Sequence, residues 1–439
     1  MSLSRSLSIG TSSLQAHQSK FDVISNNLAN ASTVGYKANR ANFAEQFNQI
    51  YNRGKAPEAN TGYSNGGTNP LQFGLGVKLA SISQDMMQGV IESTNRPLDA
   101  ALQGDGFFVV NYNGQPQYTR AGAFTRDEEG YLVDTNTGAF IQGYNTENDA
   151  DGKPVRNSDG SNRLDRTLTN VRIPWDTVSL PRQTQNITIV GNLNSEAPEG
   201  SDSIRKTSMT IYDNTGAARV LTFTFEKTAE KGEWNLSAQI DGKDTVISET
   251  LIQFKTDGTL ESPLAIMINA ADANTTLESD GLFVHPIKIQ LTDPNNLTYG
   301  LKNYSADSTA NFEKQDGFPL GDLINLNFDE QGRLLGSFTN GQTEILSQIA
   351  IAKFPNNEGL VRNGNNYFSV SPNSGDAIIG TAIEIFPTTQ VKGYALEQSN
   401  VNLANEFTEM ISTQRAYESA SRVITVSDTM LAELNQLKR

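Results

Sequence analysis

Residues 2–37 read SLSRSLSIGTSSLQAHQSKFDVISNNLANASTVGYK. Leu7, Leu14, Phe21 and Leu28 recur every seven residues, and Leu3, Gly10, His17 and Ile24 form a companion row with the same repeat. That 3-4 spacing keeps one stripe facing a partner helix and predicts a helix over residues 2–28. Ser, Thr and Gln fill most other positions, so the helix alone would be marginal in water. Asparagines then crowd positions 26, 27, 30 and 39. Asparagine competes with helical hydrogen bonds and tolerates the left-handed conformation, so the run ends the helix. Gly35 permits a turn into an extended connector. Asn27, Asn30, Gly35 and Tyr36 are therefore the residues expected to set the angle at which the chain leaves.

The other end repeats the pattern. Leu403, Met410, Tyr417, Ile424 and Leu431 lie seven apart, beside Ala416, Val423, Met430 and Leu437. No proline interrupts residues 388–439, and the last glycine is Gly393. A helix of about 38 residues, roughly 57 Å long, follows, with Ser399 or Asn400 as its N-cap. Two readings of the matched ends stand side by side. In one, they close an intramolecular helical hairpin. In the other, the stripes are too wide for one partner and also bury against neighbouring copies, so the stripe residues, Ile24 included, are the candidate subunit interface. His17 in the seam reads as a packing or register residue.

At 439 residues the chain exceeds one hydrophobic core, and two to four domains are expected. The absence of cysteine excludes disulfides and thiolate metal sites. The two histidines, His17 and His285, lie far apart, with no ligand spacing around either. A net charge of −15 argues against nucleic acid as a partner. The charge is uneven: residues 1–50 sum to +2 and residues 391–439 to −1, which leaves −16 for the middle. The N-terminus lacks the apolar run and cleavage site of a secretory signal, and no apolar run long enough for a membrane span exists. A protein of this kind working outside the cytoplasm would need a dedicated exporter.

From about residue 76 to 390 the period changes to two. MTIYDNTGAARVLTFTFEK (209–227) reads as a hairpin with Leu221, Phe223 and Phe225 on one face, continued by Trp234, Leu236 and Ala238 into a three-strand meander. RDEEGYLV (126–133) and FDEQGRLLG (328–336) share Asp-Glu-x-Gly before an apolar strand, as a glycine-dependent bulged hairpin requires. Their places on either side of the 209–290 strands suggest an inner β domain split by an inserted one. In NTENDADGKPVRNSDGSN (145–162), Glu147, Asp149, Asp151 and Gly152 imitate a calcium loop, but its twelfth position would be Ser158, where a bidentate Glu is needed. That stretch reads as a solvated linker. GDGFF (104–108) leads into a strand instead of opening a helix, so it is no phosphate cradle. No catalytic, metal-binding or cofactor-binding constellation is expected.

Four separated stretches resemble one family. FDVISNNLANASTVGYKANRANF (21–43), LQGDGFFVV (102–110) with YTRAGAFTRDEEGYLV (118–133), QIAIAKFPNNEGLVRNGNNYFSVSPNSGDAIIG (348–380) and ALEQSNVNLANEFTEMISTQRAYESASRVITVSDTMLAEL (395–434) resemble, in order, parts of the axial proteins of the bacterial flagellum, most closely the hook proteins. The resemblance implies an α+β fold: terminal α-helices forming a coiled-coil-like pair, plus two β-rich domains, the outer inserted in the inner. The expected limits are 1–30 with 394–439 for the helices and 31–75 for a connector. The inner β domain takes 76–155 with 320–393, and the outer takes 156–319. It also implies a self-assembling curved hollow tube that transmits torque from rod to filament, lying outside the cell and exported without a cleaved signal. Implied partners are identical subunits, a distal rod protein, hook–filament junction proteins, a hook cap and the flagellar type III export apparatus. The distal rod proteins share the end motifs and are the nearest alternative; the roughly 160-residue insertion favours hook. The rival from another class is a secreted β-rich enzyme or carbohydrate-binding protein.

Overall fold

The computed structural model describes residues 2–56, 67–149, 153–157, 161–242, 245–269, 283–293 and 296–437. It divides into two units. The first comprises residues 1–175, 326–335 and 345–439, and the second residues 176–325 and 336–344. The second is thus inserted in the chain of the first.

Helix α1 spans Ser2–Ala29 and α2 spans Leu403–Leu437. The side chains of Leu3 and Leu437, and residues Asp151, Gly152 and Ser158 of the acidic loop, lie outside the described residues. The cap of α2 is neither Ser399 nor Asn400. Asn402 Oδ1 accepts from the amides of Ala404 (3.1 Å) and Asn405 (3.2 Å), so the helix begins at Leu403, later than either expected cap allows, and is 35 residues long. Asn400 is occupied elsewhere: its Oδ1 accepts from Ala38 N, and its Nδ2 donates to the carbonyls of Asp85 and Met87.

The stretch 31–75, expected as an extended connector, contributes three strands to a two-stranded antiparallel ribbon among the described residues. Strand β1 (Asn39–Glu45) pairs with β4 (Val77–Gln84), and β2 (Asn48–Asn52) pairs with β3 (Leu71–Gly74). A further bridge joins Lys55 to Thr68. Asn39, Asn42, Asn48 and Asn52 lie in its strands, and Asn42 Nδ2 donates across the ribbon to Ser81 Oγ (3.3 Å) and Ser83 Oγ (3.1 Å). Cross-strand pairing of this kind sustains a sheet from a polar sequence.

The β body of the first unit is stitched from both sides of the insertion. Phe107–Tyr112 and Gln115–Thr119 form a hairpin whose turn residues Asn113 and Gly114 have φ of 52° and 77°, as a type I′ turn demands. Ile351 of the returning chain pairs with Phe108, Ile349 with Gly143, and Tyr367 with Thr119. Phe107, Val109, Tyr118, Ala350, Ala352 and Phe368 close one buried cluster. The two Asp-Glu-x-Gly loops use one device. Asp127 Oδ1 accepts from Tyr131 N (2.7 Å) and Asp329 Oδ1 from Arg333 N (2.8 Å), with Gly130 and Gly332 at φ of 86° and 72°. Residues 156–175, expected in the outer domain, group with the first unit. Leu164 bridges Thr146, and Asn170 pairs with Gln142.

The second unit is a β sandwich. Arg205–Tyr212, Ala218–Lys227, Glu233–Ile240 and Thr245–Phe254 form a meander that Leu260–Ser262 extends. Leu221, Phe223, Phe225, Trp234, Leu236 and Ala238 are wholly buried there, as period two predicts. They pack on Ile187, Ile189, Ile266, Ile287, Ile289 and Leu301 of a facing sheet. At the tip of the predicted hairpin, Asp213 Oδ1 holds the amides of Thr215 and Ala217 (2.9 and 3.0 Å). Phe223→Ala should destabilise this unit by about 3–5 kcal/mol, read as a lowered urea midpoint of Trp234 fluorescence in a Trp175→Phe background.

Candidate assembly site: a helix seam and a buried joint

The helices α1 and α2 lie antiparallel. Asn27 Nδ2 donates to Glu406 Oε1 (3.1 Å), Lys20 pairs with Glu409 (3.0 Å), and Gly10 abuts Ile424. A Cβ on Gly10 would stand 2.7 Å from Ile424 Cγ1, so glycine is needed for this approach. Apart from Ile24, the deeply buried seam residues are small or polar: Gly10, Ala16 and Asn27 on α1, and Thr413, Ala420 and Ser427, seven apart, on α2. Small side chains let helix axes come close.

The predicted stripe residues divide. Ile24 is buried; Leu7, Leu14, Leu28, Met410, Ile424 and Leu431 are half-buried; Phe21, Leu403 and Tyr417 are exposed. Further apolar side chains of α2, namely Phe407, Ile411, Val423, Val426 and Met430, stand 46–54% exposed. Hydrophobicity alone missed the Thr413–Ala420–Ser427 row; its seven-residue repeat of small residues was the available signal. Between the helices, His17, Phe21, Met410, Thr413 and Tyr417 line a groove of about 410 Å³. His17 stacks edge-on against Phe43 at 5.8 Å. Burial, with Lys20 nearby, holds its imidazole below the ordinary value.

Where α1 ends, the asparagines split their work. Asn30 terminates the helix: its Nδ2 donates back to Asn26 O (2.9 Å) and Asn26 Oδ1 (2.8 Å). Asn27, expected as part of that stop, is instead buried in the joint. Its Oδ1 accepts from Asn39 N (2.9 Å) while its Nδ2 donates to Asn39 O (2.8 Å), so one side chain takes both backbone groups of a single residue. Gly35 has φ of 69°, donates its N–H to Glu397 O (2.8 Å), and leaves only 2.6 Å between an added Cβ and Ala121 N. Tyr36 is buried with its hydroxyl donating to Asn27 Oδ1 (3.3 Å), and the Arg362 guanidinium lies over its ring at 4.7 Å.

Beside Tyr36 lies a charge cluster that the sequence reading did not find. Glu397 is fully buried, with its Oε1 accepting from Lys37 Nζ (2.7 Å) and Gly89 N (2.8 Å), and its Oε2 from Arg120 (3.1 Å). The surplus cation is spread over carbonyls: Lys37 Nζ also donates to Met87 O (2.7 Å), and Arg120 to Gly104 O (2.8 Å). Burial first, and Arg120 second, push the Lys37 ammonium below its ordinary value, against the pull of Glu397. No motif spacing flags residues this distant; single charges inside otherwise apolar or glycine-rich stretches were the only hint. Removing Glu397 leaves two buried cations without their counter-charge, whereas removing Lys37 leaves a matched pair. Glu397→Gln should therefore cost about 3–5 kcal/mol, and Lys37→Met clearly less, by urea unfolding followed in the far-ultraviolet.

Burial also raises the Glu406 carboxyl above 4.5, helped by Glu409 and opposed by Asn27 and Lys20. The folded state then binds more protons than the unfolded one between 4.5 and the raised value, so the contribution is present below 4.5 and lost as pH rises through that value. Glu406→Gln should leave stability unchanged below pH 4.5 and raise the melting temperature at neutral pH.

Comparisons with known proteins cover nearly the whole chain. A model of flagella basal body rod proteins matches residues 7–37, and a model of the D1 domain of flagellar hook protein FlgE/F/G matches 101–192. The flagellar basal body protein FlaE D2 domain matches 186–318, and the C-terminal model of flagellar basal body rod FlgEFG proteins matches 392–437. The chain is 32% identical to flagellar hook protein FlgE of Borreliella burgdorferi, over 99% of each chain. It is also 32% identical to that of Escherichia coli K12, over 97% of this chain and 98% of the relative. The crystal structure of Helicobacter pylori flagellar hook protein FlgE2 superposes with a TM-score of 0.51 at 15% identity, covering 70% of this chain and all of that one, and shows a shared fold.

Proposed function

This chain belongs to the flagellar hook protein family, and on that premise we propose that it polymerises with copies of itself into a curved, hollow tube outside the cell. The observation that carries the reading is the surplus apolar surface of α2. The intrachain seam buries mostly small residues, while Phe407, Ile411, Val423, Val426 and Met430 remain exposed on a helix whose principal packing partner is α1. Exposed apolar surface on this scale marks an interaction face. Contacts between unlike patches that do not close into a ring generate an open helical polymer. The stripe residues Leu7, Leu14, Phe21, Ile24, Leu28, Leu403, Met410, Tyr417, Ile424 and Leu431 then divide between seam and neighbour contacts.

The role is mechanical rather than catalytic. The terminal helices supply cohesion, and the acidic β sandwiches meet through wet polar contacts that can be remade as subunits slide. Such a tube bends while it transmits torque. A distal rod protein below, junction proteins above, a cap at the growing end and the type III export apparatus are its partners in this reading.

Negative-stain microscopy of the concentrated protein tests it. The full chain should give hollow curved tubes, and a chain lacking residues 403–437 should give none. Val426→Asp, an exposed position, should keep the circular dichroism of the monomer and lose the tubes. Straight tubes would favour the rod alternative; no polymer at all would overturn the reading.

A further inference from the structure

The ribbon carries an exposed basic segment, Arg53–Lys55, and the first unit carries an acidic cleft. The cleft, about 880 Å³, lies among α1, β1 and the start of α2. Val23, Ile24, Phe43 and Met87 contribute apolar lining. Its charged lining is Asp85, Glu358, Glu406 and Glu409 against Lys20 and Arg40, an excess of two carboxylates. Lys20 is already engaged by Glu409 at 3.0 Å. A cleft so lined takes a cationic segment with some apolar surface.

The ribbon offers one. Arg53 and Lys55 are exposed, and Phe47, Ile50, Tyr51, Leu71 and Phe73 just behind them are exposed as well. The base of the ribbon lines the cleft of its own chain, but the Arg53–Lys55 segment cannot reach it. It starts at Asn39, hydrogen-bonded to Asn27 near the end of α1, and runs back along the helix: Phe43 meets His17, Gly76 meets Ser12, and Tyr51 meets Arg5 at 3.3 Å. From Asn27 to Arg5 is about 33 Å of helix. Donor and acceptor therefore sit at opposite ends of α1.

We propose that the Arg53–Lys55 tip of one copy docks in the Asp85/Glu358/Glu409 cleft of the next, a head-to-tail contact between copies of this chain. The contact is heterologous, so a row of subunits keeps one free donor at one end and one free acceptor at the other, and growth remains open. Exposed charges at the rim steer the encounter, and the aromatic ribbon residues supply apolar area behind them.

This rests on the polymer proposed above, and tubes formed by the unaltered chain test that separately. The specific test is a charge exchange in the full chain, read by sedimentation and negative-stain microscopy. Arg53→Glu with Lys55→Glu should abolish polymerisation, and so should Glu358→Lys with Glu409→Gln. All four together in one chain should restore it. The altered side chains are largely exposed, and unchanged far-ultraviolet spectra and urea midpoints verify that each variant is folded. Should either folded pair polymerise like the unaltered chain, the contact is not used. Should both pairs fail and the fourfold variant fail too, the tip and cleft do not meet. Either result overturns the proposal.

Discussion

The first unit depends on one buried carboxylate. Glu397 joins Lys37, 360 residues earlier, to Arg120, 277 residues earlier, and also holds the amide of Gly89. Four distant segments thus share one charge: the exit from α1, the strand leading to α2, and two loops of the β body. Such a cluster adds little to stability relative to an apolar core, but separating its members strands a charge at low dielectric. The helices, marginal alone, are therefore held to the β body in one arrangement. Tyr36 under Arg362, and Asn27 clasping both backbone groups of Asn39, brace the same point.

From this joint the chemistry separates by direction. Between α1 and α2 the contact is close and uses glycine, alanine, threonine and serine, with Asn27–Glu406 and Lys20–Glu409 fixing register. Outward, α2 presents large apolar side chains. A monomeric bundle would do the reverse, burying its large residues and exposing its small ones. The second unit makes no such concession. Its sandwich closes a core of buried aromatic and aliphatic residues and forms a compact unit by itself.

Much of this was legible. The seven-residue repeats located both helices to within a few residues, because a long amphipathic pattern has one economical geometry. The 209–240 meander followed from alternation, and the two Asp-Glu-x-Gly loops from the positive φ that their glycines supply. The roles of local polar residues were not legible in this way. The stretch 31–75 read as an extended connector because its strands find their partners only after folding, and propensity does not see a partner. Asn400 read as a cap because caps are short polar residues, and so is any side chain that must satisfy a distant backbone.

By itself the sequence determined the periodicities, and with them two terminal helices, a β middle and an apolar surplus on the helices. Those are properties of a segment's own side chains and their spacing. Only the tertiary structure decided which helix face is the seam, that Asn27 is a clasp while Asn30 is the stop, and that Lys37, Glu397 and Arg120 are one site. These depend on which groups meet after distant chain segments converge. Desolvation makes such meetings decisive: a lysine in water needs no partner, whereas a buried one does.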